Sequence, residues 1–116
     1  MISTGLLIID DEPALLGLLR RYLARLGYDV ETCNGSAEAL ASFQADPDRF
    51  AIIITDLSLP GMSGEELIAK MRELRPQLRA IISSGYYYEP LAEAVRFLQK
   101  PFLPQALAEA IEKARS

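Results

Sequence analysis

The chain has 116 residues and half of them are hydrophobic, enough for one domain with a real core. Twelve basic against sixteen acidic residues leave a net charge of −4, which disfavours nucleic-acid binding through this domain, because that needs a basic face. The absence of histidine removes Ser-His-Asp and Cys-His catalysis, histidine-rich zinc sites and any phosphohistidine carried by the chain itself.

No apolar run approaches the ~20 residues that a membrane-spanning helix needs. The start, Met1-Ile2-Ser3-Thr4, lacks the basic region and long apolar stretch of a signal peptide. The expected location is the cytoplasm. The lone Cys33 agrees with this, having no disulfide partner in the chain, and it reads as a small, partly buried residue at a strand end.

In chain order, Gly5 to Ile9 is short, apolar and partly β-branched, the pattern of a buried strand. Pro13 suits the first position of a helix, preceded by Asp11 and Glu12 as capping candidates. Leu15, Leu18, Leu19, Tyr22, Leu23 and Leu26 predict its buried face, and Gly27 its end. Tyr28 to Thr32 reads as a second strand. Ser36 then suits a cap for a second helix that turns Leu40 and Phe43 inward. Ala51 to Thr55 is the strongest strand, apolar on both faces as in a covered parallel sheet.

Leu59-Pro60-Gly61-Met62 breaks the pattern. Ser63 and Glu66 have capping-box spacing before a third helix with Leu67, Met71 and Leu74, which Pro76 stops. Arg79 to Ser83 reads as strand four, and after Pro90 there is room for only a short fourth helix. Val95 to Gln99 reads as strand five. Pro104 opens a last helix with Leu107, Ala110, Ile111 and Ala114 on one face.

This is a (βα)5 order, and right-handed crossovers make it an α/β, doubly wound, five-stranded parallel sheet with helices on both faces. Such sheets bind ligands outside the carboxyl ends of their strands, at the switch in strand order. The strand ends carry Asp10-Asp11, Asp56, Ser83-Ser84-Gly85 and Lys100-Pro101. Three carboxylates, a hydroxyl and an ammonium around one crevice suit a divalent cation and a transferable phosphoryl group.

Four pieces, Ile9-Asp10-Asp11-Glu12, the stretch from Thr55 to Gly64, Ser83-Ser84-Gly85-Tyr86 and the stretch from Phe97 to Phe102, resemble the receiver domains of two-component response regulators, the CheY-like superfamily of flavodoxin-like fold. The resemblance spans nearly the whole chain and implies one receiver domain over residues 1–116. It implies that Asp56 accepts a phosphoryl group from a histidine kinase or histidine phosphotransfer protein. It assigns Mg2+ to Asp11 directly, to Asp10 partly through water, to Asp56 and to the backbone carbonyl of Ser58.

Lys100 matches the lysine that pairs with a phosphoryl oxygen, on a cis bond to Pro101. Ser84, rather than Ser83, matches the switch hydroxyl, and Phe97 the aromatic switch position, with plain core packing an equal reading of Phe97. Ser58 and Tyr86 flank the pocket, where they would tune the access of water. The implied domain is a phosphorelay signalling module rather than an enzyme on external substrates. It would bind no nucleic acid or membrane itself, and a phosphorylation-dependent dimer is compatible with it. Its sequence style is similar to receivers attached to hybrid histidine kinases.

Only residues 85–99 separate Ser84 from Lys100, fewer than most receivers show, so the fourth helix is expected to be shortened or incomplete. Tyr86-Tyr87-Tyr88 in this stretch reads as a partner-binding patch or as a loop anchor. Two other functions stay open. An aspartyl-nucleophile phosphatase would want a second carboxylate two residues after Asp56, where Ser58 stands. An interaction domain that is never phosphorylated would not need the acceptor, acidic and lysine positions filled together.

Overall fold

The computed structural model describes residues 4–90 and 92–115. The start at Met1 to Ser3, the end at Ser116 and the Leu91 portion of the expected fourth helix lie outside the described residues. The elements are β1 (Gly5–Ile9), α1 (Pro13–Arg25), β2 (Asp29–Cys33), α2 (Ser36–Ala45), a 3-10 turn (Pro47–Arg49), β3 (Phe50–Asp56), α3 (Gly64–Leu74), β4 (Arg79–Ser84), β5 (Val95–Gln99) and α4 (Pro104–Arg115).

The five strands form one sheet in the order β2-β1-β3-β4-β5, and every neighbouring pair is parallel. The chain moves outward from β1 to β2, then returns to continue on the other side from β3. The switch point therefore lies between β1 and β3, where Asp10 leaves one strand and Asp56 ends the other.

Alternation along the strands sorts the core into two layers. Leu7, Ile9, Ile53 and Ile82 pack with Phe43 of α2 and with Leu67 and Met71 of α3. Leu6, Ile8, Ile54 and Ile81 pack with Leu16, Leu19 and Leu23 of α1 and with Leu107 and Ile111 of α4. Both faces of the sheet are thus covered, which is why β1 and β3 read as continuous apolar runs. No helix among the described residues is long and apolar enough to cross a membrane.

Helix ends follow local chemistry. Ser63 caps α3, its hydroxyl accepting from the Glu66 N–H at 3.1 Å. Gly27, at φ +99°, ends α1 in a left-handed turn. There the Gly27 N–H donates to the Ala24 carbonyl and the Tyr28 N–H to the Leu23 carbonyl, satisfying the last turn.

Several expectations are corrected. The buried face of α1 is Leu16, Leu19 and Leu23, while Leu18 and Leu26 are exposed. Leucines occur almost all round this helix, so tertiary contact, not periodicity, selects the face. Leu74 of α3 is likewise exposed. Strand β2 starts one residue later than expected, because Tyr28 is still held by the helix end. Gly35 rather than Ser36 occupies the cap position of α2, and Ser36 instead sits buried with its hydroxyl 3.5 Å from the Pro60 carbonyl.

The reduction of the fourth helix goes to its limit. Among the described residues no helix joins β4 to β5: residues 85–90 and 92–94 are bends, irregular chain and a turn. Ten residues containing Pro90 must span a parallel crossover, which leaves too little chain for a helix and two connections.

Candidate functional site

The strand ends at the switch point converge as the sequence implied. Asp10, one residue past β1, is 4 % exposed, and both its carboxylate oxygens are engaged. One accepts from the Glu12 N–H at 2.9 Å, and the other from the Lys100 ammonium at 2.5 Å. Neither Asp11 nor Glu12 caps α1 with its side chain: the cap position is Glu12, without a side-chain bond. The acidic pair is thereby left to the crevice.

Lys100 reaches Asp56 as well, at 3.5 Å. Asp10, Asp11 and Asp56 each present a carboxylate oxygen, and these oxygens lie within 4.8 Å of one another. This is a hard, all-oxygen donor set of the kind Mg2+ takes up while keeping part of its water shell. The residues present therefore fit such an ion. Lys100 is joined to Pro101 by a cis peptide bond.

Electrostatics match the geometry. Burial pushes the Asp56 carboxyl above the usual carboxylate range, and the Asp10 charge adds to this, while the Lys100 ammonium and a hydrogen bond from the Ser58 backbone N–H pull the other way. For Lys100, burial acts to lower the amine, but the hydrogen bond and charge of Asp10 and the charge of Asp56 outweigh it and hold it above its ordinary value. The crevice thus contains a firm cation next to a carboxylate whose charge is imperfectly compensated, an arrangement that favours arrival of a further cation or an exchange of charge.

The backbone fixes the position of Asp56. The Leu57 N–H donates to the Ser83 carbonyl, the Gly64 N–H to the Leu57 carbonyl and the Lys100 N–H to the Ser84 carbonyl, each at 2.8 Å. Gly64 packs against the end of β3 so closely that a Cβ there would stand 2.2 Å from the Asp56 carbonyl oxygen. Reading the sequence singled out Asp56 but gave Gly64 no role of its own. A glycine at the first position of a helix carries no signal that a distant strand end lies against it.

The proposed switch residues stand apart from the carboxylates. Ser84 is buried, and its hydroxyl accepts from the Tyr86 N–H at 3.1 Å. Alternation places Ser84 with Ile82 on the α2–α3 layer, and Phe97, in register with Ile82, on the same layer. Asp56 follows Ile54 on the α1–α4 layer, and Ser83, in register with Asp56, shares that face.

The helical layer toward which Ser83 turns is therefore the one behind the carboxylates. Phe97 is half-buried and meets the ring of Tyr87 edge-on, with centroids 5.5 Å apart. Tyr88 packs against the α2–α3 core as a loop anchor, whereas Tyr86 and Tyr87 are largely exposed. Cys33 is buried, and burial together with Glu38 and Glu31 pushes its thiol up to about 12, which makes it inert.

Comparison with known proteins points the same way as this geometry. The response regulator receiver domain family matches residues 6–112. The chain is 37 % identical to the two-component response regulator PprB of Pseudomonas aeruginosa, with 97 % of this chain and 44 % of that protein covered. It is 35 % identical to the transcriptional regulatory protein FixJ of Rhizobium meliloti, with 92 % and 54 % covered. Against curated relatives such as these the chain spans about half of their length or less. Among solved structures, the receiver domain of the hybrid histidine kinase CckA superposes with a TM-score of 0.87 at 28 % identity, covering 97 % of this chain and 99 % of that one. With acids, lysine and sheet topology in agreement, the chain belongs to the family of response regulator receiver domains.

Proposed function

We propose that the whole chain, residues 1–116, is one receiver domain that takes a phosphoryl group on Asp56 from a histidine kinase or a histidine phosphotransfer protein and passes the change to a partner-binding surface. The observation that carries this reading is the placement of the Lys100 ammonium between Asp10, at 2.5 Å, and Asp56, at 3.5 Å, beside the three-carboxylate cluster. In the transfer, an Asp56 carboxylate oxygen bonds to phosphorus as the bond to the donor nitrogen breaks, and that electron pair returns to the imidazole. Lys100 holds a phosphoryl oxygen and offsets its charge. Asp10 keeps Lys100 aimed at the crevice.

Asp10, Asp11, Asp56 and the Ser58 carbonyl would hold Mg2+, which supplies positive charge to the transferring group. Ser84, on leaving Tyr86, and Phe97 would shift together, moving the population between two packings of the β4–β5 side. The domain performs this transfer on itself and turns over no external substrate, in the cytoplasm. Dimerisation on phosphorylation is one form the output can take.

The test is labelling by a small phosphoryl donor or a phosphorylated kinase. Wild type should gain one phosphoryl group that alkali and hydroxylamine release, as expected of an acyl phosphate, and Asp56→Asn none. Labelling of Asp56→Asn at another residue would refute the assignment, and steady release of phosphate from a phosphomonoester would mark a phosphatase instead.

A further inference from the structure

Among the described residues, the Ser83 hydroxyl is the buried side-chain polar atom without a hydrogen-bond partner. Ser83 is 3 % exposed, so bulk water does not reach it. A buried polar group left unpaired is costly, and native structures seldom retain one without use for it. The residue stands in register with Asp56 across the β3–β4 pairing. Neighbouring strands run about 5 Å apart, and in-register side chains share a face. Ile54 and Ile81, the residues two before Asp56 and two before Ser83, both lie in the α1–α4 layer, which places the serine on the acceptor's side of the sheet. The next in-register residue is Leu98, two before Lys100. Ser83 is thus flanked by the two strands whose ends lead to Asp56 and Lys100, whereas the hydroxyl oxygen of Ser84 accepts from the Tyr86 N–H.

We propose that Ser83 is a positioning residue whose hydroxyl, unpaired in the unphosphorylated domain, becomes a hydrogen-bond donor to the Asp56 side chain once that residue carries a phosphoryl group. A change of χ1 rotamer suffices to turn Oγ toward the neighbouring strand. The unphosphorylated state then bears an unsatisfied hydroxyl, and the phosphorylated state relieves it. The difference acts as a bias toward the phosphorylated packing that needs no movement of the backbone. This rests on Asp56 being the acceptor.

The predicted signature is a sign split between two states. Ser83→Ala removes the orphan group, so the unliganded domain should melt at the same temperature as wild type or higher. In the phosphoryl-like state the variant lacks a donor to a charged group, so beryllofluoride with Mg2+, titrated by amide NMR shifts around Asp56, should bind about tenfold more weakly. Equal affinity of wild type and Ser83→Ala for beryllofluoride would overturn the proposal and leave the acceptor assignment standing. A lower melting temperature of unliganded Ser83→Ala would overturn it too, because the hydroxyl would then be satisfied before phosphorylation. Failure of wild type to bind beryllofluoride at all would overturn both it and the acceptor reading.

Discussion

Strands β1 and β3 are buried along almost their whole length and carry helices on both faces, whereas β5 fully buries only Val95 and faces a loop where the fold elsewhere lays down a helix. Behind Ile82 and Val95, between α3 and Tyr88, that substitution leaves a groove of about 390 Å3. The acids stand at the ends of the covered strands, and Ser84 and Phe97, the proposed relay, stand at the thin edge. The contrast separates two physical demands. Transfer chemistry needs side chains held to a fraction of an ångström, which dense packing gives. A relay needs two arrangements of similar energy, which a sparsely packed edge permits.

The contrast can be broken by substitution on either side. The largest effect is expected at Phe43, fully buried and stacked on Phe50 at 6.3 Å. Phe43→Ala should cost about 3–5 kcal/mol in urea unfolding, since the close-packed layer cannot collapse around the cavity. Gly64→Ala comes next. Overpacking against the Asp56 carbonyl should cost about 1–3 kcal/mol, and the phosphorylation rate at Asp56 should fall as the acceptor is displaced. Ser63→Ala serves as its control: loss of the α3 cap should cost about 1 kcal/mol with the rate unchanged. A rate loss shared by both variants would mean that destabilisation of α3, not the close approach of Gly64, is responsible. The smallest effect is expected at Tyr87, 73 % exposed with its ring on Phe97. Tyr87→Ala should remove about 0.5–1.5 kcal/mol and leave Asp56 labelling intact. A loss as large as that of Phe43→Ala would erase the distinction between the two sides.

Much of this architecture was legible because local signals agreed with the global fold. β1 and β5 have the predicted limits, Pro13 and Pro104 open α1 and α4, and Ser63 caps α3. The convergence of Asp10, Asp56 and Lys100 followed from strand ends and sheet topology together. What escaped depends on contacts between distant segments. Leu18 and Leu26 look as apolar as Leu19 and Leu23, and only the position of the sheet tells them apart. Gly64 reads as a flexible helix start until the end of β3 is laid against it. Ser83 and Ser84 are chemically alike, and strand register alone places one on the face of Asp56 and the other on the face of Phe97.

The central claim is that Asp10, Asp11 and Asp56 form a cation-assisted acceptor site. Thermal melts with and without millimolar Mg2+ address it most directly, since an ion bound only by the folded state must stabilise it. The account predicts a melting temperature that climbs with Mg2+ in wild type and much less in Asp11→Asn. Superimposable melting curves for wild type across the titration would contradict it.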